Sequence, residues 1–173
     1  MSDLVLDNPF WRFSLAIYST PGVSAECLAL QETLGIDVNL LLFCAWTGAE
    51  HQIKLTPTEL DEFSATVRDW HEQVVLPLRG ARQALKVIGG HDTLREKVKA
   101  AELESEQIEQ AMLYALVVER RPQTCSASPR LCVSENVRRL ISRQEAPKGH
   151  DHDKCWPAKL VETSIARLPE RRE

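Results

Sequence analysis

Apolar residues recur along this chain with helical spacing, and the segments they define are separated by sharp punctuation. The densest apolar run, residues 37–46, carries side chains around nearly the whole circumference of a helix, which predicts a helix at the centre of the core, capped by Asp37. Before it, Asn8-Pro9 places a capping residue ahead of a proline at the first helical position. That helix stops near Pro21-Gly22, and a second covers residues 24–34 with Gly35 as its left-handed terminator. Thr56 and Glu59 have capping-box spacing around Pro57, with Leu55 and Leu60 as the hydrophobic staple.

The segment that follows puts Leu60, Phe63, Val67, Trp70 and Val74 on one seam, and Pro77 and Ala81 continue it. Pro77 removes one backbone donor and is expected to kink this helix rather than end it. After a Gly89-Gly90 turn, Thr93 and Glu96 repeat the capping-box spacing, and Leu94, Val98, Ala101, Ser105, Ile108, Met112 and Ala115 define a second seam. Two such segments joined by a short glycine turn predict a long antiparallel helical hairpin. The fold expectation is an all-α bundle of about five helices over residues 1–119. Residues 120–173 read as a partly ordered extension with short helices near residues 134–144 and 157–168. The expected core includes Phe10, Phe13, Leu30, Leu41, Phe43, Trp46, Phe63, Val67, Trp70, Val74, Ile108 and Met112.

Charge sharpens the division. Residues 1–119 hold 9 Lys/Arg against 18 Asp/Glu, whereas residues 120–173 hold 12 against 7. An acidic body thus carries a basic, proline-containing tail. Five cysteines without framework spacing read as reduced thiols in a cytoplasmic protein, and no secretory signal or membrane-length apolar stretch is visible.

Three stretches carry a family resemblance. The first is Phe10 to Ala16 with Tyr18 and Pro21-Gly22-Val23; the second is Cys27 to Gln31, Gly35 and Asp37 to Trp46; the third is Trp70, Val74-Val75, Pro77-Leu78-Arg79 and Lys86. On these residues the chain resembles the uncharacterised proteobacterial domain of unknown function 2390 family. The resemblance implies no activity, cofactor or partner.

Arg79, Arg82 and Lys86 fall at i, i+3 and i+7, so one helical face presents two guanidinium groups and an ammonium, a surface for a phosphate, a carboxylate or an acidic partner. The plainer alternative is a stripe paired with Glu96, Glu102 or Glu109. Asn39 is the odd polar residue of the central run and, with Trp46 and Arg79, marks a possible pocket between helices. His150, His152 and Cys155 offer donors for zinc, but their spacing matches no structural zinc pattern, so no metal or other cofactor is expected. Nucleotide-loop, nucleophile-elbow and zinc-protease signatures are missing, and no catalytic residue emerges. The reading that follows is a small non-enzymatic adaptor, regulator or assembly factor with a protein partner. The alternatives are nucleic-acid association through the arginines of the tail, and a small-ligand-binding protein or enzyme with a pocket between helices.

Overall fold

A computed structural model describes residues 4–144 and 156–167. Within them the chain is all-helical, with no strand and one isolated bridge between Ile53 and Thr124. The elements are α1 (Pro9–Tyr18), α2 (Val23–Leu34), α3 (Val38–His51), α4 (Pro57–Trp70), a π-helical turn (His71–Val75), α5 (Leu76–Ile88), α6 (Asp92–Arg120), α7 (Pro129–Ile141) and α8 (Ala158–Ala166). Among the described residues, six of these α-helices lie before residue 121, where periodicity suggested about five, because the segment read as one kinked helix divides into α4 and α5 at the π turn; α7 and α8 fall in the extension, where two short helices were expected. The histidine and cysteine tract at His150, His152 and Cys155 lies outside the described residues.

Local signals act at most of the predicted ends. Asn8 accepts from the Trp11 amide at 2.9 Å, and Asp37 accepts from the Asn39 amide at 2.8 Å. Thr56 and Glu59 exchange both bonds of a capping box. Thr93 does not cap α6. That helix starts a residue earlier, at Asp92, and no side-chain cap closes it. Pro77 lies within the first turn of α5, and the helix absorbs it through the preceding π turn, where the Leu76 amide reaches back to the His71 carbonyl.

The core forms around α3. From Asn39 to Ala49 every residue is buried. Trp46, 1% exposed, stacks on Phe10 with ring centroids 5.2 Å apart, and Phe43 meets both Phe10 and Phe63. A helix that is apolar all round needs cover on every side. Helices α1, α2, α6, α7 and α8 supply it, and α7 makes the most extensive contact.

Charge and packing divide the chain differently. The charge balance changes sign near residue 120, yet α7 buries Cys132, Val133, Val137, Leu140 and Ile141 against the body. The crossing is close because Gly48 has no side chain: a Cβ there would lie 2.5 Å from the Val133 backbone nitrogen. Asn136 then locks the contact. Its carbonyl accepts from the Leu55 amide at 2.9 Å, and its amide donates to the carbonyls of Ile53 at 2.9 Å and Cys44 at 3.3 Å. Glu26 on α2 does the same for α8, accepting from the backbone amides of Lys159 and Leu160.

The second predicted seam is one residue out of phase with the observed one. Glu102, Ser105, Glu109, Gln110, Ala111, Leu113 and Val117 are the buried positions of α6, of which only Ser105 was on the predicted seam, whereas Ala101 is exposed and Ile108 and Met112 are half-buried. Trp70 and Val74 are also half-buried, and the Trp70 indole donates to the Ser105 carbonyl at 2.9 Å. The phase shift puts acidic side chains inside, where arginines of α5 meet them.

Trp46→Ala should cost about 3–5 kcal/mol in urea unfolding, and a change below about 1 kcal/mol would mean the ring is not part of the core. Gly48→Ala should cost about 1–3 kcal/mol by forcing α3 and α7 apart. A chain ending at Glu119 should lose its cooperative transition, since α3 would be stripped along its largest contact.

Candidate functional site

Two features meet along the buried face of α6: a compact acid–histidine cluster and a cavity beside it. The cluster joins three elements. Asp37 comes from the N-cap of α3, His71 from the first residue of the π turn, and Glu109 from the middle of α6. His71 Nδ1 lies 3.2 Å from Glu109 Oε1, 3.4 Å from Glu109 Oε2 and 3.5 Å from Asp37 Oδ2. The Glu109 side chain is fully buried, and those of His71 and Asp37 are nearly so.

Electrostatics follow from that crowding. Burial, reinforced by the Glu109 charge, holds the Asp37 carboxyl well above the usual carboxylate range, and His71 offsets only part of this. For His71, burial acts to lower the value. The hydrogen bond with Glu109 and the two carboxylate charges outweigh it, so the imidazole is held above its ordinary value.

An amide relay leads from the cluster to the cavity. Asn39 Nδ2 donates to Glu109 Oε2 at 2.8 Å, and Asn39 Oδ1 accepts from Gln110 Nε2 at 2.8 Å. A carboxylate only accepts, which fixes the orientation of Asn39 and, through it, of Gln110. Gln110 Oε1 is left as the free acceptor; it is buried and has no partner.

The cavity has a volume of about 630 Å³ and opens between α1, α2, α3, α5 and α6. Trp11, Leu15, Tyr18, Leu28 and Leu42 form its apolar walls. Its polar side carries Asn39, Gln110, Ser14 and Arg79. Ser14 Oγ, like Gln110 Oε1, is buried without a hydrogen-bond partner.

Arg79 and Arg82 lie on that polar side, with all three nitrogens of Arg79 and two of Arg82 engaged. Arg79 donates to Glu102 at 3.1 Å, to Glu106 at 2.6 Å and to Gln31 at 2.6 Å. Arg82 forks onto both oxygens of Glu102. Burial acts to raise the Glu102 carboxyl, but Arg82 and Arg79 together hold it below its ordinary value. Burial prevails at Glu106, which is held above its ordinary value despite Arg79. Lys86, a turn beyond Arg82, is exposed near the end of α5.

Of the residues singled out by spacing, the structure thus brings Asn39, Arg79 and Arg82 to one cavity and leaves Lys86 outside its lining. Trp46 lines a separate cavity of about 330 Å³ with His51, Tyr114 and Val117. Three arginines of the tail contact the body: Arg120 pairs with Glu62, Arg143 with Asp61, and Arg139 reaches the Leu55 carbonyl, while Arg121 and Arg130 are exposed. Arg138 pairs with Glu135 on its own helix and stands over the Trp156 ring. Sequence reasoning did not assemble Asp37, His71 and Glu109, which are 34 and 38 residues apart along the chain. The available signal was Glu109 itself, an acid that falls on the buried stripe once the phase of α6 is set by Leu113 and Val117.

The model of a family described as Protein of unknown function (DUF2390) matches residues 9–113. The chain belongs to the DUF2390 family. No curated protein and no solved structure matches it. The DUF2390 match takes in every residue of the cluster, the amide relay and the cavity lining, and ends before α7. No helix among the described residues is long and apolar enough to cross a membrane.

Removing Arg79 strands Glu106 and weakens the hold on Glu102, both mostly buried. Arg79→Ala should therefore cost about 3 kcal/mol, the low end for breaking a buried pair, because Arg82 still serves Glu102. Glu106→Gln, read in a double-mutant cycle with Arg79→Ala in urea, should remove part of that cost; additive losses would place the pair in solvent.

Proposed function

We propose that this protein binds a small neutral amphipathic molecule in the cavity between α1, α2, α3, α5 and α6. The observation that carries the reading is the pair of buried, unpartnered polar atoms, Ser14 Oγ and Gln110 Oε1, on a cavity that sets apolar walls against a polar side. An unsatisfied buried polar atom costs about 1–3 kcal/mol, and a ligand group at that place would remove the cost. Gln110 Oε1 can only accept, so the ligand must offer an N–H or O–H. The arginines on the wall are already neutralised by Glu102 and Glu106, and the exposed Lys99 pairs with Glu96, which argues for a neutral head group over a phosphate or carboxylate. Apolar walls of this extent suit an aliphatic or aromatic body.

This favours the ligand-binding alternative over a purely protein-binding adaptor. An adaptor remains the second reading on one observation. Leu15, Leu28 and Leu103, which line the cavity, are 50%, 43% and 50% exposed, and an apolar side chain of a partner could seat there. The contacts that engage the tail arginines do not favour a nucleic-acid partner.

A medium-chain primary amide should raise the melting temperature in a concentration-dependent way, while the matching hydrocarbon and carboxylate raise it less. Leu28→Trp, which fills the mouth from an exposed position, should leave the unliganded melting temperature unchanged and abolish the shift. Equal shifts for the amide and the hydrocarbon would remove the polar part of the reading, and no shift with any amphiphile would remove the whole.

A further inference from the structure

Three carboxylate oxygens crowd one imidazole nitrogen in the cluster beside the cavity. Nδ1 carries at most one proton, so it can donate to only one of them. Asn39 serves Glu109 Oε2 and the Asn39 backbone amide serves Asp37 Oδ1. Glu109 Oε1, fully buried, accepts no aligned hydrogen bond and has His71 Nδ1 3.2 Å away as its charge partner. With both carboxyls ionised, the two acids and one imidazole present more acceptor capacity and more like charge than the surrounding protein satisfies. A divalent cation at the centre would balance both carboxylates at once.

Geometry agrees. One ligand atom from each of Asp37, His71 and Glu109 lies within 4.8 Å of the others. The nearest oxygen of each acid to the imidazole nitrogen, Glu109 Oε1 at 3.2 Å and Asp37 Oδ2 at 3.5 Å, can be compared with a tetrahedral site. Metal–nitrogen and metal–oxygen bonds of about 2.0–2.2 Å place neighbouring tetrahedral ligands about 3.3–3.6 Å apart. The three groups are held from behind by separate anchors. Asp37 is fixed at the head of α3, and Glu109 is oriented by Asn39. His71 opens a π turn, an insertion often found at functional positions in helices.

We propose that Asp37, His71 and Glu109 form a site for one divalent transition-metal cation, with two carboxylate oxygens and one imidazole nitrogen as protein ligands and a fourth position left for water or another small group. One nitrogen and two oxygens suit zinc, manganese or iron(II) better than calcium, which takes six to eight oxygens. Asn39 then links two sites, because the amide that orients the Glu109 ligand also holds Gln110 at the cavity wall. The metal site does not depend on the cavity reading, and each is tested by a different probe.

The test uses the full chain, stripped with a chelator and titrated with zinc chloride alone, with bound metal counted after dialysis. The histidine and cysteine tract is a competing source of zinc affinity, so a His150→Ala, His152→Ala, Cys155→Ala chain is titrated in parallel. One equivalent should bind to both proteins. His71→Ala should weaken it by more than about 100-fold, beyond the 10–100-fold loss typical of an outer partner, and Glu109→Gln should weaken it as well. In the unaltered chain, zinc should move the nuclear magnetic resonance signals of the His71 ring nitrogens, a readout that does not require any variant to fold. Zinc that is lost with the tract, zinc that moves only other histidines, affinity unchanged by His71→Ala, or no binding at all would each overturn the proposal.

Discussion

The constraint from which this structure follows is the all-round burial of α3. A helix with apolar residues on every face has no solvent side, so the chain must wrap it completely. Five other helices do so, and the closest approach, α7 at Gly48, depends on a missing side chain. Because α3 is fixed this firmly, its polar N-terminus is fixed too. Asp37 and Asn39 are thereby held at defined positions against α6, and the buried polar chemistry of the molecule begins there.

Helix α6 supplies the other half. Its inward stripe starts with Glu102, passes through Ser105, Glu109 and Gln110, and becomes apolar only from Ala111 onward. Burying that many polar groups is costly unless each finds a partner. Arg79 and Arg82 satisfy the upper acids, and Asn39 satisfies part of the lower ones. The buried oxygens left over among the described residues are Glu109 Oε1, Gln110 Oε1 and Ser14 Oγ, and they lie in the cluster or along the cavity beside it. A fold selected for stability alone would have apolar residues at these positions. Their concentration on one side of α3 is what separates a site from ordinary core irregularity.

Much of the fold was legible where the signal is local. Asn8, Asp37, Gly35 and the Thr56–Glu59 pair act on backbone groups within a few residues, and each terminates its helix as read. The central position of α3 was legible for the same reason, since its apolar circumference needs no knowledge of its neighbours. The phase of α6 was not. Apolar spacing selected Ala101, Ile108 and Met112, whereas the real face is set by arginines arriving from α5, a tertiary compensation that periodicity cannot register. The site was half visible through Asn39 and Arg79, the polar residues within or beside apolar runs. Asp37 was read only as a cap and His71 carried no signal of its own, because their meeting with Glu109 depends on three elements distant in sequence. The extent to which α7 joins the core was hidden behind its charge: the basic residues lie on the outer side of a helix whose other side is apolar.

The central claim is that the buried acid–histidine cluster serves binding and does not hold the fold together. The most direct measurement is the unfolding free energy, in metal-free buffer, of a chain carrying Asp37→Asn, His71→Leu and Glu109→Gln together, the new glutamine keeping an acceptor for the Asn39 amide. Removing all the charges of a buried group at once, rather than one partner, is often neutral or stabilising by about 1–4 kcal/mol. The amide introduced by Asp37→Asn keeps the oxygen that caps α3. The account predicts a chain at least as stable as the original. A loss of several kcal/mol would show that the cluster is a structural tie, and would contradict the reading of this face as a site.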